Sequence, residues 1–176
     1  MNFRRLTLAA ALACIVTPAL AHAQAPAAPA ALGAADERAA VLAVVKALFD
    51  GMRAGDSAAV RAVFHPQVQL TTALVRNGAP VLEVGSLDTF LRAVGTPHDA
   101  VWDERTYDEE VRVDGTLAQA WTPYDFFAGD KFSHCGVDAF TLAKTSAGWR
   151  IIALGDTRGR TGCRGNGTAG GGAAKP

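Results

Sequence analysis

Three turn signals divide the second half of the chain into four extended segments. The turns are encoded by Asp114-Gly115, Gly129-Asp130 and Ser146-Ala147-Gly148, which favour tight connections between antiparallel strands. We therefore predict strands over 102–113, 117–127, 131–144 and 149–158. Strands joined by such short turns pair with their neighbours along the chain, so this half of the protein is expected to form an antiparallel sheet.

The first half of the chain has the periodicity of helices. Asp36 predicts the N-cap of a helix whose apolar residues recur at intervals of three and four, namely Val41, Leu42, Val45, Leu48, Phe49 and Met52. Gly55 ends this helix, and Asp56 and Ser86 cap a second and a third. A strand is predicted over 67–75, and the turn Arg76-Asn77-Gly78 connects it to a second extended piece over 80–84. The order α-α-β-α-β-β-β-β is typical of an α+β domain with its helices on one face of the sheet.

The N-terminal segment has the pattern of an export signal. Arg4 and Arg5 precede an apolar run over 6–16, and small residues in A-x-A patterns follow it. We predict a cleaved signal peptide (1–23), a flexible Ala/Pro-rich linker (24–35), one folded domain (36–163) and a disordered Gly/Ala-rich tail (164–176). The mature protein is therefore expected to be periplasmic or secreted, with no membrane association after cleavage.

Charge and motifs exclude several functions. All 17 acidic residues lie within 36–163 together with 13 of the 17 basic ones, so the domain is acidic, and we predict no nucleic-acid partner. The chain contains no zinc, calcium, dinucleotide or phosphate-binding motif, so we predict neither a metal nor a cofactor. The acidic stretch from Asp99 to Asp114 is interpreted as a solvated strand face.

Two cysteines remain after signal cleavage, and both their compartment and their spacing predict a disulfide. Folding the last hairpin about Ser146-Ala147 places Cys135 opposite roughly Arg158, and Cys163 follows five residues later. A bond between Cys135 and Cys163 would be stable in an oxidising compartment and would attach the start of the tail to the sheet.

Several short landmarks resemble the nuclear-transport-factor-2-like (NTF2-like) superfamily. They are Arg53-Ala54-Gly55-Asp56, Phe64-His65-Pro66 and Gly148-Trp149-Arg150-Ile151. The stretches Phe132-Ser133-His134-Cys135-Gly136-Val137-Asp138 and Asp156-Thr157-Arg158 look most like an exported bacterial branch labelled “putative lumazine-binding”. The resemblance implies a conical α+β barrel, with helices packed in the concave face of a curved antiparallel sheet around a pocket for a small molecule. It also implies a homodimer through the outer face of the sheet.

The resemblance allows a comparison with the ketosteroid isomerases of the same superfamily. Their helix tyrosine falls at about Leu48 and their carboxylate base at about Thr72, and neither residue can do that work. Their protonated aspartate falls at Asp138. Steroid-type isomerisation is therefore not expected. Asp138 is the one candidate site residue that both the reasoning from the chain and the family resemblance identify.

Strand alternation identifies the other candidate site residues. His134 and Asp138 share one face of their predicted strand, and Asp156 and Arg158 share one face of the last strand. Asp138 either lies among apolar side chains, which would raise its pKa, or pairs with Arg158 or His134, which would lower it. Arg158 either binds an anionic group of a ligand or forms a plain surface ion pair with Asp156.

Aromatic residues crowd strand 117–127, and Pro123 prevents the assignment of their faces. Because Pro123 cannot donate to a sheet ladder, it predicts a bulge or an edge position there. Trp121 and Tyr124 could therefore belong to the core, to a dimer interface or to a wall on which a ligand stacks. We include both in the predicted ligand-binding set.

Two function hypotheses follow. The first is a binding module that holds a small, partly apolar ligand in a conical pocket with Trp121, Tyr124, His134, Asp138, Asp156 and Arg158. The second is a cofactor-free dehydratase or isomerase in which His134 and Asp138 act as an acid–base pair. The second hypothesis requires these two side chains to meet within hydrogen-bonding distance.

Overall fold

The structure, a computed structural model, describes residues 33–165. The predicted signal peptide (1–23), most of the linker and most of the tail lie outside the described residues. No helix within 33–165 combines the length and the apolar character that crossing a bilayer would require. Arg164, which we assigned to the tail, contacts the folded domain, since its guanidinium lies 3.9 Å from the ring centroid of Tyr107 and it forms an ion pair with Asp108.

Three helices form close to the positions that the apolar periodicity predicts: α1 (Ala34–Ala54), α2 (Ser57–Val63) and α3 (Leu87–Gly95). Gly55 ends α1 in the left-handed conformation with φ of 65°, and the side chains of Asp56 and Ser86 cap α2 and α3. The start of α1 differs from the prediction. Asp36 lies within the first turn, where its carboxylate accepts a hydrogen bond from the backbone N–H of Gly33, which is the true N-cap.

The sheet contains seven strands: β1 (Phe64–Arg76), β2 (Ala79–Gly85), β3 (Trp102–Thr106), β4 (Glu110–Asp114), β5 (Leu117–Ala128), β6 (Lys131–Thr145) and β7 (Gly148–Thr157). Their spatial order is β2-β1-β7-β6-β5-β3, and β4 also pairs with β5. All neighbours are antiparallel except β1 and β7, which run parallel. The curved sheet is not closed. The predicted α+β architecture, with helices packed against a curved sheet, is therefore confirmed.

The core lies between α1 and the inner face of the sheet. Five of the six α1 residues that the helical periodicity predicts are buried, Leu48 completely so, whereas Leu42 is half-buried. Glu37 and Gly51 are buried as well, although the apolar pattern does not include them. The buried apolar residues of α1 pack on alternate residues of the central strands, and the Phe49 ring meets the edge of Phe140 at a centroid distance of 6.2 Å. The apolar pattern along the first helix therefore determines which of its faces carries the domain core.

The predicted single strand over 102–113 is interrupted. Asp108 adopts a left-handed backbone with φ of 51°, and this separates β3 from β4. The interruption lies opposite Pro123, which pairs with Val137 of β6 on its other side without a bulge. Pro123 has no N–H to offer at this gap, while its carbonyl accepts from the N–H of Tyr107 at 3.0 Å. The expected bulge at Pro123 is therefore wrong, and the register shift lies between Phe126 and Phe127.

The predicted disulfide between Cys135 and Cys163 is confirmed, with the two Cα atoms 5.6 Å apart. Cys135 and Gly159 exchange two backbone hydrogen bonds of 3.0 and 2.8 Å, which extend the pairing of β6 past the end of β7. The chain then turns back, so the sulfur of Cys163 reaches Cys135. The bond attaches the C-terminal end of the described chain to the sheet.

Candidate functional site

A cavity of about 670 Å³ opens between the inner face of the sheet and helices α1 and α3. Side chains reach it from both helices and, among the described residues, from five strands. Much of its wall is apolar and includes Leu48, Phe49, Leu70, Phe90, Trp102 and Leu154. This volume is sufficient for a drug-sized molecule, because ligand pockets range from ~300 to ~1,000 Å³.

Strand alternation brings five of the six predicted ligand-binding residues to this cavity. They are Tyr124 of β5, His134 and Asp138 of β6, Asp156 of β7, and Arg158, which directly follows β7. Residues two or four apart on a strand share a face, and on β5, β6 and β7 that face is the one the helices cover. The structure therefore places these side chains around one space, although they come from three strands.

Trp121 is the exception. It is three residues before Tyr124 on β5, so the alternation turns it to the opposite face of the sheet. There 52% of its surface is exposed, and it does not line the cavity. Its prediction as a ligand-stacking residue of this cavity is therefore corrected, and it belongs to the outer face of the sheet.

Two acidic side chains meet at the wall of the cavity. Asp138 is only 4% exposed, and its carboxyl group lies close enough to that of Glu104, which reaches the cavity from β3, for a hydrogen bond between the two to shift their pKa values. Oδ2 of Asp138 is buried and receives no hydrogen bond from a protein N–H or hydroxyl group. Two carboxylates cannot donate to each other, so this contact requires a proton on one of them. Asp138 and Glu104 therefore form an acid–carboxylate pair.

Burial dominates the titration of this pair. It raises the pKa of Asp138 well above the ordinary value, and the negative charge of Glu104 raises it further. Burial also raises the pKa of Glu104 to about 7, although the hydrogen bond from Asp138 opposes the shift. Of the two alternatives for Asp138, the raised pKa is the one found, because neither Arg158 nor His134 pairs with it.

Arg158 is held by a different carboxylate. Its Nε donates to Oδ2 of Asp156 at 2.6 Å, and the Thr72 hydroxyl donates to the other oxygen of Asp156 at 2.5 Å. Asp156 is mostly covered, whereas 53% of the Arg158 side chain is exposed. The predicted contact between Asp156 and Arg158 is therefore present as an ion pair within the protein, which leaves Arg158 largely neutralised toward a ligand.

His134 is held by aromatic side chains. Its ring stacks on Phe126 with centroids 4.9 Å apart and meets the edge of Tyr124 at 5.8 Å, while Ser133 Oγ lies 3.0 Å from Nδ1. Burial, followed by the charge of Arg158, lowers the pKa of His134, so the imidazole is neutral near neutral pH.

The contact between His134 and Asp138 that the enzyme hypothesis requires is not formed among the described residues. Four residues along a strand separate their Cα atoms by about 13 Å. Each side chain has its own partners, Phe126 for His134 and Glu104 for Asp138. Among the described residues of this cavity, the carboxyl group beside Asp138 is therefore that of Glu104.

Sequence reasoning missed Glu104 because it lies in the acidic stretch that we interpreted as a solvated strand face. The available signal was its parity with Trp102, an apolar residue two positions earlier that also lines the cavity. The two positions carried over from the isomerases, Leu48 and Thr72, do line the cavity. Leu48 contributes apolar surface, and Thr72 uses its hydroxyl to hold Asp156.

No metal site forms from the described residues of this cavity. Within 33–165 the one group of three potential ligands whose donor atoms approach within 4.8 Å of each other is Asp125 with Cys135 and Cys163. The two sulfurs are joined to each other as a disulfide and have no thiolate to offer. The residues of the cavity therefore suit an organic ligand better than a metal ion.

Comparison with known proteins agrees with this architecture. The family described as “Putative lumazine-binding” matches residues 36–154. No curated protein sequence matches the chain.

Solved structures with the same fold are distant in sequence. An NTF2-like protein with a cystatin-like fold from Novosphingobium aromaticivorans is 13% identical, covering 78% of this chain and 91% of its own, with a TM-score of 0.58. A “putative scytalone dehydratase” from the same organism is 12% identical over 71% and 85%, with a TM-score of 0.58. An NTF2-like protein of unknown function from Shewanella baltica is 16% identical over 74% and 100%, with a TM-score of 0.57. At these identities the likeness extends to the fold alone.

Proposed function

This chain belongs to the family described as “Putative lumazine-binding”, and from that membership and its cavity we propose that it binds a small, partly apolar molecule. One observation carries the proposal: an apolar cavity of about 670 Å³ whose wall contains a carboxyl pair formed by the buried Asp138 and the half-buried Glu104. Burying two acids is costly, and a fold that needed only a core would place apolar side chains there. Polar groups in an apolar pocket orient ligands.

Filling part of the cavity with a larger side chain should weaken the binding of an apolar probe. Prodan is a neutral naphthalene dye whose emission shifts to the blue in apolar surroundings. Ala93 of α3 lines the cavity, so Ala93→Phe should fill part of it and weaken Prodan binding at least about tenfold, or 1.4 kcal/mol. Fluorescence titration measures this change. Ala47→Phe, at an exposed position of α1, is the matched control and should bind as the wild type does. Equal binding by both variants would refute the proposal.

A second candidate function is cofactor-free acid–base catalysis of a lyase or isomerase type. It is favoured by the pKa of Glu104, raised to about 7 by burial, because a base is most useful near the working pH. The carboxylate of Glu104 would remove a proton from carbon while the protonated Asp138 stays beside it.

The catalytic candidate can be tested without its natural substrate. With 5-nitrobenzisoxazole, a carboxylate takes the proton from carbon 3, the C–H electrons complete a nitrile, and the N–O bond breaks to give 2-cyano-4-nitrophenolate. The rate should rise with pH to a plateau above about 7, and Glu104→Gln should reduce it about a hundredfold. A rate that Glu104→Gln leaves unchanged would exclude this function.

Export remains part of the proposal. The N-terminal signal pattern supports it, and so does the disulfide between Cys135 and Cys163, because structural disulfides persist in oxidising compartments. Mass analysis of exported protein should find a mature N-terminus near residue 24. Intact Met1 in that material would contradict export by cleavage.

A homodimer through the outer face of the sheet is also proposed. Trp121 and Leu117 of β5 are 52% and 49% exposed there, which is apolar surface that a second copy could cover. Light scattering at micromolar concentration should give twice the mass of the chain. A monomer mass would contradict this part of the proposal.

A further inference from the structure

We infer that the ligand of this cavity is a flat aromatic molecule carrying an amine or another cationic N–H group, which donates to the carboxyl pair of Glu104 and Asp138. The inference rests on the proposed function, since it names the chemical class that the same cavity would bind. It follows from the charge of the cavity wall, from the hydrogen bonds that the carboxyl pair lacks, and from the rings around it.

The wall of the cavity carries more acid than base. Glu104, Asp138 and Asp156 line it, whereas Arg158 is the one Arg or Lys among the described lining residues. Arg158 is bound to Asp156 at 2.6 Å, and Thr72 satisfies the second oxygen of Asp156. The negative charge that remains uncompensated is therefore that of Glu104 and Asp138. A buried charge without a partner favours a ligand of opposite charge.

The carboxyl pair accepts hydrogen bonds but has no free donor. Above about pH 7 Glu104 has lost its proton, so the pair holds one O–H group, and the contact between Glu104 and Asp138 uses it. The neighbouring hydroxyls are engaged elsewhere. Thr122 donates to the backbone carbonyl of Asp138 at 3.4 Å, and Tyr124 donates to the carbonyl of Thr157 at 2.9 Å. An N–H group of a ligand would supply the donor that these protein groups do not provide.

The rings beside the pair suit a flat molecule. Phe126 and His134 stack with an interplanar angle of 28°, and Trp102 meets the edge of Phe126 at 6.1 Å. Aromatic faces attract both aromatic rings and organic cations. A metal ion fits less well, because Glu104 and Asp138 belong to no group of three ligands among the described residues.

Binding of a cation should compete with protonation of Glu104. The charged and titratable side chains lining the same cavity are Asp138 and His134 from β6, Tyr124 from β5, Asp156 from β7 and Arg158, which directly follows β7. The lining residues of α1, α3, β1 and β2 do not titrate. His134 is neutral, and Tyr124 has a raised pKa, so neither changes charge near pH 7. Because the pKa of Glu104 is about 7, raising the pH from ~6 to ~8 should strengthen binding of a cation about tenfold.

Three probes with the same apolar body test the inference in the full chain. They are 2-naphthylmethylamine, which is a cation at neutral pH, the neutral 2-naphthalenemethanol and the anion 2-naphthoate. Calorimetric titration at about pH 8 should give at least tenfold tighter binding of the amine than of the alcohol, with the anion weakest. Lowering the pH to ~6 should weaken the amine about tenfold and leave the alcohol unchanged. At pH ~6 the heat of amine binding should vary with the buffer, because Glu104 is then protonated in the free protein and releases its proton on binding.

A matched variant pair localises the effect. Glu104→Gln keeps the size of the side chain and removes its charge, so it should abolish the preference for the amine and retain binding of the alcohol. Glu110→Gln, at an exposed position of β4, should retain the preference. If Glu104→Gln fails to fold, the order in which the wild-type protein binds the three probes still tests the inference.

The outcomes separate the two levels of the proposal. Binding of the alcohol or the naphthoate as tightly as the amine would overturn the inference and leave the proposed function standing. Binding of none of the three probes at millimolar concentration would refute both. A preference for the amine that survives Glu104→Gln would also overturn the inference, because the cation would then be recognised elsewhere.

Discussion

Replacing Glu104 with Gln is expected to remove a loss of stability that the wild-type protein suffers as the pH rises toward neutrality. The wild-type free energy of unfolding should fall relative to that of Glu104→Gln by on the order of 3 kcal/mol between about pH 4.5 and pH 7. Urea denaturation at a series of pH values measures both curves. This is among the largest effects that we expect from a single side chain of the cavity.

The sign follows from the direction of the pKa shift. Burial raises the pKa of Glu104 from 4.5 to about 7, so the folded protein holds this proton over a range in which the unfolded chain has lost it. The stabilising contribution is complete below the unfolded pKa and is lost as the pH rises through the folded one. Asp138 is raised in the same direction, and its loss of stability extends to higher pH.

Other acids act in the opposite direction. Glu37 accepts hydrogen bonds from Lys144 and from Trp149, the latter at 2.8 Å, and these partners lower its pKa, so its contribution is lost on acidification. Its effect is common to the wild type and the Glu104 variant and cancels in their difference. Glu110→Gln should follow the wild-type curve. Parallel curves for the wild type and Glu104→Gln would show that Glu104 is solvated in the folded protein.

Gly136→Ala should destabilise the protein by about 3 kcal/mol, the upper range for forcing extra volume into a packed interior. A Cβ atom on Gly136 would lie 1.8 Å from the carbonyl oxygen of Thr157 and 2.7 Å from its carbonyl carbon. Both are backbone atoms, so relief requires β6 and β7 to move apart. That movement would disturb the hydrogen bond of 2.9 Å from the Tyr124 hydroxyl to the Thr157 carbonyl. Denaturant unfolding with the disulfide intact measures the loss.

Gly159→Ala is the matched control for Gly136. Gly159 pairs with Cys135, next to Gly136, but a Cβ atom there would meet no atom within 4 Å. Its free energy of unfolding should change by less than about 1 kcal/mol. If the two alanine variants were equally stable, the backbone carbonyl of Thr157 would not lie against Gly136 as it does in the structure.

Local patterns in the chain were sufficient for most of the architecture. The periodicity of three and four before Gly55 predicted which face of α1 is buried, and the turn dipeptides predicted the hairpins of the sheet. Strand alternation also predicted that His134 and Asp138 share a face. These features depend on residues close together in the chain, so they can be predicted without the fold.

Breaks in regularity were harder to predict. The stretch 102–113 was interpreted as one strand, and its division into β3 and β4 at Asp108 was missed, although Asp is one of the residue types that tolerate a left-handed backbone. Pro123 does mark an irregularity, but the gap that accommodates it lies in the neighbouring strand rather than in its own. Whether the N–H that Pro123 lacks disturbs the sheet therefore depends on the neighbouring strand, which the local sequence does not reveal.

Sequence by itself determined the helices, the hairpins, the disulfide and the position of Asp138 on a cavity-facing strand. Only the tertiary structure decided that Glu104 is the partner of Asp138 and that Arg158 forms an ion pair with Asp156. It also decided that Trp121 lies on the face of the sheet opposite the cavity. The physical reason is that the charge state of a carboxyl group depends on burial and on partners from other strands. In a run of acidic residues all members look alike, and the pairing of β3 with β5, which turns Glu104 toward Asp138 of β6, selects Glu104.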